Sequence, residues 1–191
     1  MTTNKNIKIV AFVGLTGSGK SVAVNYLTDK GYPKVYFGGV VLDAMTDAGI
    51  EHTEENEKPF REELRKKEGN DFIAKRIITQ INKLIEAGQH KIIADGLYSW
   101  TEYKALKKEY PGELNVIAIV TTKKIRHRRL VNRVVRPLNQ TEADQRDWAE
   151  IENIEKGGPI AIADHFVSNN GDLEQLHTQI DEALDDINFY D

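Results

Sequence analysis

The chain has 191 residues, with 26 Lys and Arg against 30 Asp and Glu for a net charge of −4, 40% hydrophobic residues and no cysteine. That length fits one domain, and the missing cysteines exclude disulfides, thiolate catalysis and thiolate-bound zinc. A negative net charge gives no global attraction to nucleic acid or membranes, and no apolar run approaches the roughly 18–20 residues of a spanning helix, so a cytoplasmic protein is expected.

In chain order, Ile7, Ile9, Val10, Ala11, Phe12 and Val13 form a short apolar run, the pattern of a strand buried on both faces. Directly after it stands Gly14-Leu15-Thr16-Gly17-Ser18-Gly19-Lys20-Ser21, which fits the phosphate-binding pattern Gly-x-x-x-x-Gly-Lys-Ser/Thr at every fixed position. Gly14, Gly17 and Gly19 let the backbone turn tightly with its N–H groups facing inward, and the N-terminus of the following helix adds partial positive charge. Thr16 and Ser18 supply two of those N–H groups. Lys20 can reach the β- and γ-phosphates of a nucleotide, and the Ser21 hydroxyl can ligate Mg²⁺. Val22, Ala23, Tyr26 and Leu27 then recur at helical spacing until Gly31 and Pro33.

Residues 34–37 read as a short strand broken by Gly38-Gly39, and residues 40–48 as a short helix stopped by Gly49. Residues 51–68, dense in charge with Phe60 and Leu64 four apart, predict a solvated helix carrying Arg61 and Arg65. Asn70 or Asp71 caps a further helix whose apolar face is Ile73, Ile77, Ile81, Leu84 and Ile85, closed by Gly88. A second buried-type strand, residues 91–94, delivers Asp95 at its carboxyl end, where the carboxylate can serve Mg²⁺ through water or a substrate group. A helix over 99–110, with Glu102 read as a plain surface acid, precedes the strand 114–120.

Thr122 opens a helix in a strongly basic segment. Between Lys123 and Arg136 stand seven Lys or Arg and no acid, whereas after Lys156 there is no cation and eight acids follow. Arg126, Arg129, Arg133 and Arg136, at steps of three, four and three, predict one stripe of guanidiniums able to neutralise a transferring phosphoryl group. His127 reads as a surface residue. Residues 139–147 read as a loop into another helix bearing Arg146 and Asp147, and Gly157-Gly158-Pro159 as an interruption. A last strand over 163–167 leads to an amphipathic helix with Leu173, Leu176, Ile180, Leu184 and Ile187 inward.

Strands alternating with helices imply a parallel sheet covered on both faces, with ligands outside the carboxyl ends of the strands. That rule gathers Gly14, Gly38, Asp95 and Thr121 at one edge. No serine stands in a nucleophile setting, so direct in-line phosphoryl transfer fits better than a covalent intermediate.

The opening loop, Arg129-Leu130-Val131-Asn132-Arg133, and the closing run Ala163-Asp164-His165-Phe166-Val167-Ser168-Asn169-Asn170-Gly171 together resemble the P-loop nucleoside monophosphate kinase group, and within it proteins related to dephospho-CoA kinase. Gly38-Gly39-Val40-Val41, Arg61 to Arg65 and Asp95-Gly96 look like a mostly archaeal branch related to both. The resemblance implies one α/β domain, a three-layer P-loop NTPase sandwich with a five-stranded parallel sheet. It further implies a helical acceptor-binding region over about 38–88 and a lid over about 129–158. It implies ATP and Mg²⁺ as cofactors, lid arginines 129, 133 and 136 over the phosphates, and Asn170-Gly171 near the adenine. Arg61, Arg65 and Asp95 become candidates for holding a phosphorylated small-molecule acceptor. The expected activity is γ-phosphoryl transfer to a nucleoside monophosphate, with dephospho-CoA as alternative acceptor, in a monomer or homodimer. A nucleotide-dependent switch or regulatory ATPase is the alternative of another class. A nucleic-acid module using the basic helix is a third, opposed by the net charge.

Overall fold

The computed structural model describes residues 7–191. Five strands, β1 (Lys8–Val13), β2 (Lys34–Tyr36), β3 (Lys91–Asp95), β4 (Leu114–Val120) and β5 (His165–Ser168), form one sheet in the order β2–β3–β1–β4–β5 with every neighbouring pair parallel. Nine helices are described: α1 (Lys20–Thr28), α2 (Gly39–Asp47), α3 (Glu54–Glu68), α4 (Phe72–Glu86), α5 (Trp100–Glu109), α6 (Lys123–Val131), α7 (Gln140–Glu152), α8 (Gly157–Ala161) and α9 (Leu173–Asp186). The α/β, three-layer P-loop architecture expected from the sequence is therefore the architecture found.

The continuous apolar runs of β1 and β4 exist because both faces of the central sheet are covered. On one face Ile9, Ala11 and Val13 pack with Met45 of α2, Phe72 and Ile77 of α4 and Leu106 of α5. On the other, Val10 and Phe12 pack with Val24 and Leu27 of α1 and with Ile180 and Leu184 of α9. Each of these fully buried large side chains contributes roughly 1.5–3 kcal/mol of burial, so the strand edge that carries the site rests on a rigid base. In α4 the buried positions are Phe72, Ala74, Ile77 and Ile81, with Ile73, Leu84 and Ile85 half-buried at the rim. No helix among the described residues is long and apolar enough to cross a membrane.

Two expectations are corrected here. Residues 140–147 are helical rather than a loop, because Asn139 accepts from the Glu142 N–H while Glu142 reaches back to the Asn139 N–H, a complete capping box. Gly157-Gly158-Pro159 does not interrupt helical structure but begins α8, since Pro159 lies in a first turn where its missing N–H has no intrahelical partner to lose.

Candidate active site

The sheet register sets the site. Phe12 pairs with Asp95 and Val13 with Ala118, so β1 and β3 end within one residue of each other while β4 runs two residues further, and the loop between β1 and α1 begins at that edge. Within that loop Gly17 and Gly19 take left-handed φ values of 84° and 95°. A Cβ at Gly19 would stand 2.0 Å from Asn169 Nδ2, and one at Gly17 would stand 3.0 Å from the Arg126 carbonyl. The Ser18 carbonyl is pulled outward by three donors: Asn169 Nδ2 at 2.7 Å, Thr121 Oγ1 at 2.9 Å and Arg129 Nη1 at 3.5 Å. Ser18 Oγ is buried, and among the described residues it finds no hydrogen-bond partner. A glycine-walled cradle with an orphan hydroxyl fits a ligand that brings acceptor oxygens.

Lys20, the first residue of α1, places its ammonium on the Asp95 carboxylate at the end of β3. These two sequence-predicted residues are thus brought together, both largely shielded from solvent. Ser21 follows on the exposed side of α1. A hydroxyl and a carboxylate are hard oxygen donors, of the kind Mg²⁺ takes while keeping waters and phosphate oxygens for its other positions. Next to Asp95, the Tyr98 phenol is hydrogen-bonded with Tyr36, and burial pushes its pKa well above the usual phenol value.

The arginine stripe is corrected. α6 ends at Val131, and Arg136 stands at φ 51° before Pro137, a residue that cannot continue a helix and disfavours helical geometry in its predecessor. Arg126 is buried, donating to both Asp147 oxygens at 2.7 Å and to the Thr16 carbonyl at 3.0 Å. Arg129 lies along the loop and donates to the Asn169 carbonyl at 3.0 Å. Arg133 and Arg136 belong to the exposed segment 132–139, and with Arg146, Thr16, Leu138, Glu142 and Gln145 they border a cavity of about 450 Å³ beside the loop. The acids that relieve the basic helix come from α7. Asp144 pairs with Lys123, and Asp147 pairs with Arg126 and with His127 at 3.0 Å. His127 is accordingly buried, not on the surface, and its other ring nitrogen meets Gln140. Glu102 is buried as well. It accepts from the Tyr98 and Ser99 N–H groups in the capping box of α5, and burial raises its pKa against those bonds.

One turn of α7 grips the loop at Thr16 from both sides. Asp147 acts through Arg126 on the Thr16 carbonyl, while Glu150 accepts from the Thr16 N–H at 3.0 Å and from the Thr16 hydroxyl. Glu150 also receives Lys156 Nζ at 2.9 Å and Arg146 Nε at 3.2 Å. Burial opposes its ionisation, but the Lys156 charge and the bonds from Thr16 and Lys156 outweigh burial and hold the carboxyl below its usual range. Sequence reasoning passed over Glu150, Lys156 and Asn169 as site residues. The one available signal was Lys156 itself, the last cation of the chain.

On α3, Arg61 pairs with Glu57 at 3.3 Å and Arg65 with Glu62, all half-exposed. Asn170 accepts from the Thr122 N–H at 2.9 Å, at the base of α6, with Gly171 following.

A sheet in this order, a phosphate-binding loop between β1 and α1, and a neighbouring strand whose carboxylate meets the loop lysine define a P-loop protein of the kinase-like class. The chain belongs to the AAA_18 family, described as an AAA domain, whose model matches residues 10–149, and to the UPF0200 proteins. A UPF0200 protein of Thermococcus kodakarensis is 31% identical over 182 residues, covering 94% of this chain and 97% of its own. Among solved structures, a gluconokinase from Sinorhizobium meliloti superposes with a TM-score of 0.57 at 14% identity, over 96% of this chain and 97% of that one. A dephospho-CoA kinase from Campylobacter jejuni does so with a TM-score of 0.52 at 13% identity, over 95% and 98%. At such identities the likeness is one of fold, and it favours neither kinase over the other.

Proposed function

We propose that the chain transfers the γ-phosphoryl group of Mg-ATP to a small phosphorylated acceptor, foremost a nucleoside monophosphate. The observation that carries this reading is the Lys20–Asp95 pair, which sets the loop ammonium and an acceptor-side carboxylate against each other at the level ends of β1 and β3. An acceptor phosphate oxygen is already anionic, so the reaction needs no nucleophilic side chain and no general base. Its oxygen attacks the γ-phosphorus, and the bridging P–O bond breaks with its electron pair leaving on ADP. What the chain supplies is position and positive charge.

In this reading Lys20 leaves Asp95 for the β- and γ-phosphates as the loop N–H groups of 14–21 enclose them. Ser21 and Asp95 would hold Mg²⁺, which when bound neutralises charge between the β- and γ-oxygens. Arg129 lines the donor side with Asn170 and Gly171. Arg61 and Arg65 take the acceptor phosphate, giving up glutamates within their own helix. Exposed pairs of that spacing contribute only about 0.3–0.5 kcal/mol, so a phosphate dianion displaces them readily.

Arg133 and Arg136 close from the segment 132–139. Among the described residues the Arg133 guanidinium bonds to carbonyls of its own segment, Val135 at 2.6 Å and Arg136 at 2.8 Å. Arg133→Ala is therefore expected to lower kcat about 10–100-fold, since its contact strengthens in the transition state, while stability changes by no more than about 0.5 kcal/mol. An unchanged kcat would remove this segment from the mechanism.

The test of the whole reading is ADP release from Mg-ATP without acceptor and then with AMP, CMP, UMP, GMP, dTMP, dephospho-CoA, gluconate and shikimate in turn. Strong stimulation by one nucleoside monophosphate is the expected result. Stimulation by gluconate or shikimate alone would overturn the phosphorylated acceptor, and a flat slow rate across the panel would favour a regulatory ATPase.

A further inference from the structure

Lys156 lies between α7 and α8, after Glu155 at a left-handed φ of 54°, and its side chain is only 4% exposed. Its ammonium sits 2.9 Å from Glu150 and 5.0 Å from the centre of the Tyr98 ring. Lys20 faces that same ring at 5.9 Å. Two ammonium groups far apart in the chain thus approach one aromatic ring beside Asp95. Burial lowers the affinity of Lys156 for its proton, Arg146 and Lys20 push the same way, and Glu150 opposes them. A buried ammonium loses several kcal/mol of hydration, and an apolar side chain of similar volume commonly serves packing as well or better.

Glu150, for its part, has donors in excess. When Lys156 turns away, the carboxylate keeps the Thr16 N–H, the Thr16 hydroxyl and Arg146. The pair can therefore open without stranding a buried anion, the usual penalty for breaking such a bridge. Opening also leaves Lys156 against the Tyr98 ring face, which stabilises a cation.

We propose that Lys156 is a second ammonium of the phosphoryl-transfer centre, exchanging Glu150 for an oxygen of the transferring group once nucleotide fills the loop. This rests on the phosphotransferase reading above. Charge on the group in flight spreads over three equatorial oxygens, which a single loop lysine meets from one side only. Lys156 gives and takes no proton, so the bonds made and broken stay those of direct transfer. Its contact is with the third phosphate, hence it distinguishes a triphosphate from a diphosphate.

The experiment is calorimetric binding of Mg-AMP-PNP and of Mg-ADP to the whole chain, the Lys156→Met variant, the Glu150→Gln variant and the double variant. The parent is expected to bind the triphosphate analogue more tightly. Lys156→Met and the double variant lose about 10–100-fold in triphosphate affinity, as for a charged hydrogen bond, with ADP affinity held within about threefold. Glu150→Gln retains or raises the triphosphate preference, because it frees the ammonium while an amide oxygen still serves Thr16. Equal losses for both nucleotides in Lys156→Met, or a Glu150→Gln loss parallel to it, would make the pair merely structural and overturn the proposal. A parent binding both nucleotides equally overturns it while leaving nucleotide binding intact. A parent binding neither overturns the phosphotransferase reading and this inference together.

Discussion

Replacing Lys20 by alanine is expected to reduce phosphoryl transfer by about a thousandfold and to leave the fold in place. The loss follows from charge: an ammonium at the donor phosphates stabilises the transition state in a site shielded from water, and removing one such donor costs about 10²–10³ in kcat. The fold survives because the pair sits at the carboxyl end of β3, outside the two packed apolar faces of the sheet. Losing its partner there costs about 1–3 kcal/mol, a fraction of the stability of a domain this size. Lys20→Arg is not a rescue, since a planar guanidinium does not reproduce a compact ammonium in a glycine-walled loop. ADP release in the presence of the best acceptor, with a thermal melt beside it, is the measurement. Turnover within tenfold of the parent would sink the mechanism.

The largest effect on stability is expected at Asp147. Arg126 donates to both of its oxygens and His127 to one, and all three side chains are buried. Asp147→Ala strands a buried guanidinium that, among the described residues, keeps the Thr16 carbonyl alone, a loss of about 3–5 kcal/mol and roughly 10 °C or more in Tm. Nucleotide binding should weaken in the same variant, because Arg126 positions the loop. Acid adds a second signature. Burial opposes ionisation of Asp147, but the bonds from Arg126 and His127 outweigh it, so its folded pKa lies below the unfolded one. Its stabilisation is then fully present above the ordinary carboxylate range and is lost as the pH falls through the folded value. The parent should lose stability below about pH 4, and Asp147→Ala should show a shallower loss. Denaturant unfolding at pH 7 and across pH 2–5 measures both, and a change below about 1 kcal/mol at pH 7 would contradict the burial argument.

The parts of this molecule that carry an apolar pattern were legible in its sequence. β4 runs over the predicted residues 114–120, the loop and its two glycine turns lie where the motif puts them, and Asp95 meets Lys20 as a strand-end carboxylate should. What was not legible depends on α7. Its buried stripe is Ala143, Asp147 and Glu150, helical in spacing but with one small apolar residue and two acids, so hydrophobic periodicity has nothing to register. Without that buried acidic stripe in view, Arg126 lacks a visible partner and reads as a phosphoryl-binding guanidinium, and His127 reads as a surface residue. Glu102 was misread for a related reason. Its backbone partners lie three and four residues upstream, so the carboxylate is buried by a cap rather than by a pattern.

The double grip on Thr16 bears on how such a site opens and shuts. Asp147, through Arg126, and Glu150, one turn apart on α7, hold that residue by its carbonyl and its amide, which ties α7 to the frame of the loop and, on the proposed reading, keeps it from moving as a separate door. Coupling of this kind is reciprocal: whatever stiffens the loop stiffens α7, and a perturbation of α7 is felt as altered affinity at the loop. The exposed stretch 132–139 is fastened at its far end by the Leu138 N–H on the Leu130 carbonyl, 3.1 Å away. Closure is then the swing of a short strap between two fixed posts. Motions of that size run on the nanosecond-to-microsecond scale of loops, whereas domain hinges take microseconds to milliseconds. On the proposed reading, ligands are then admitted past a flap, and phosphoryl transfer at the loop need not wait for a domain to turn.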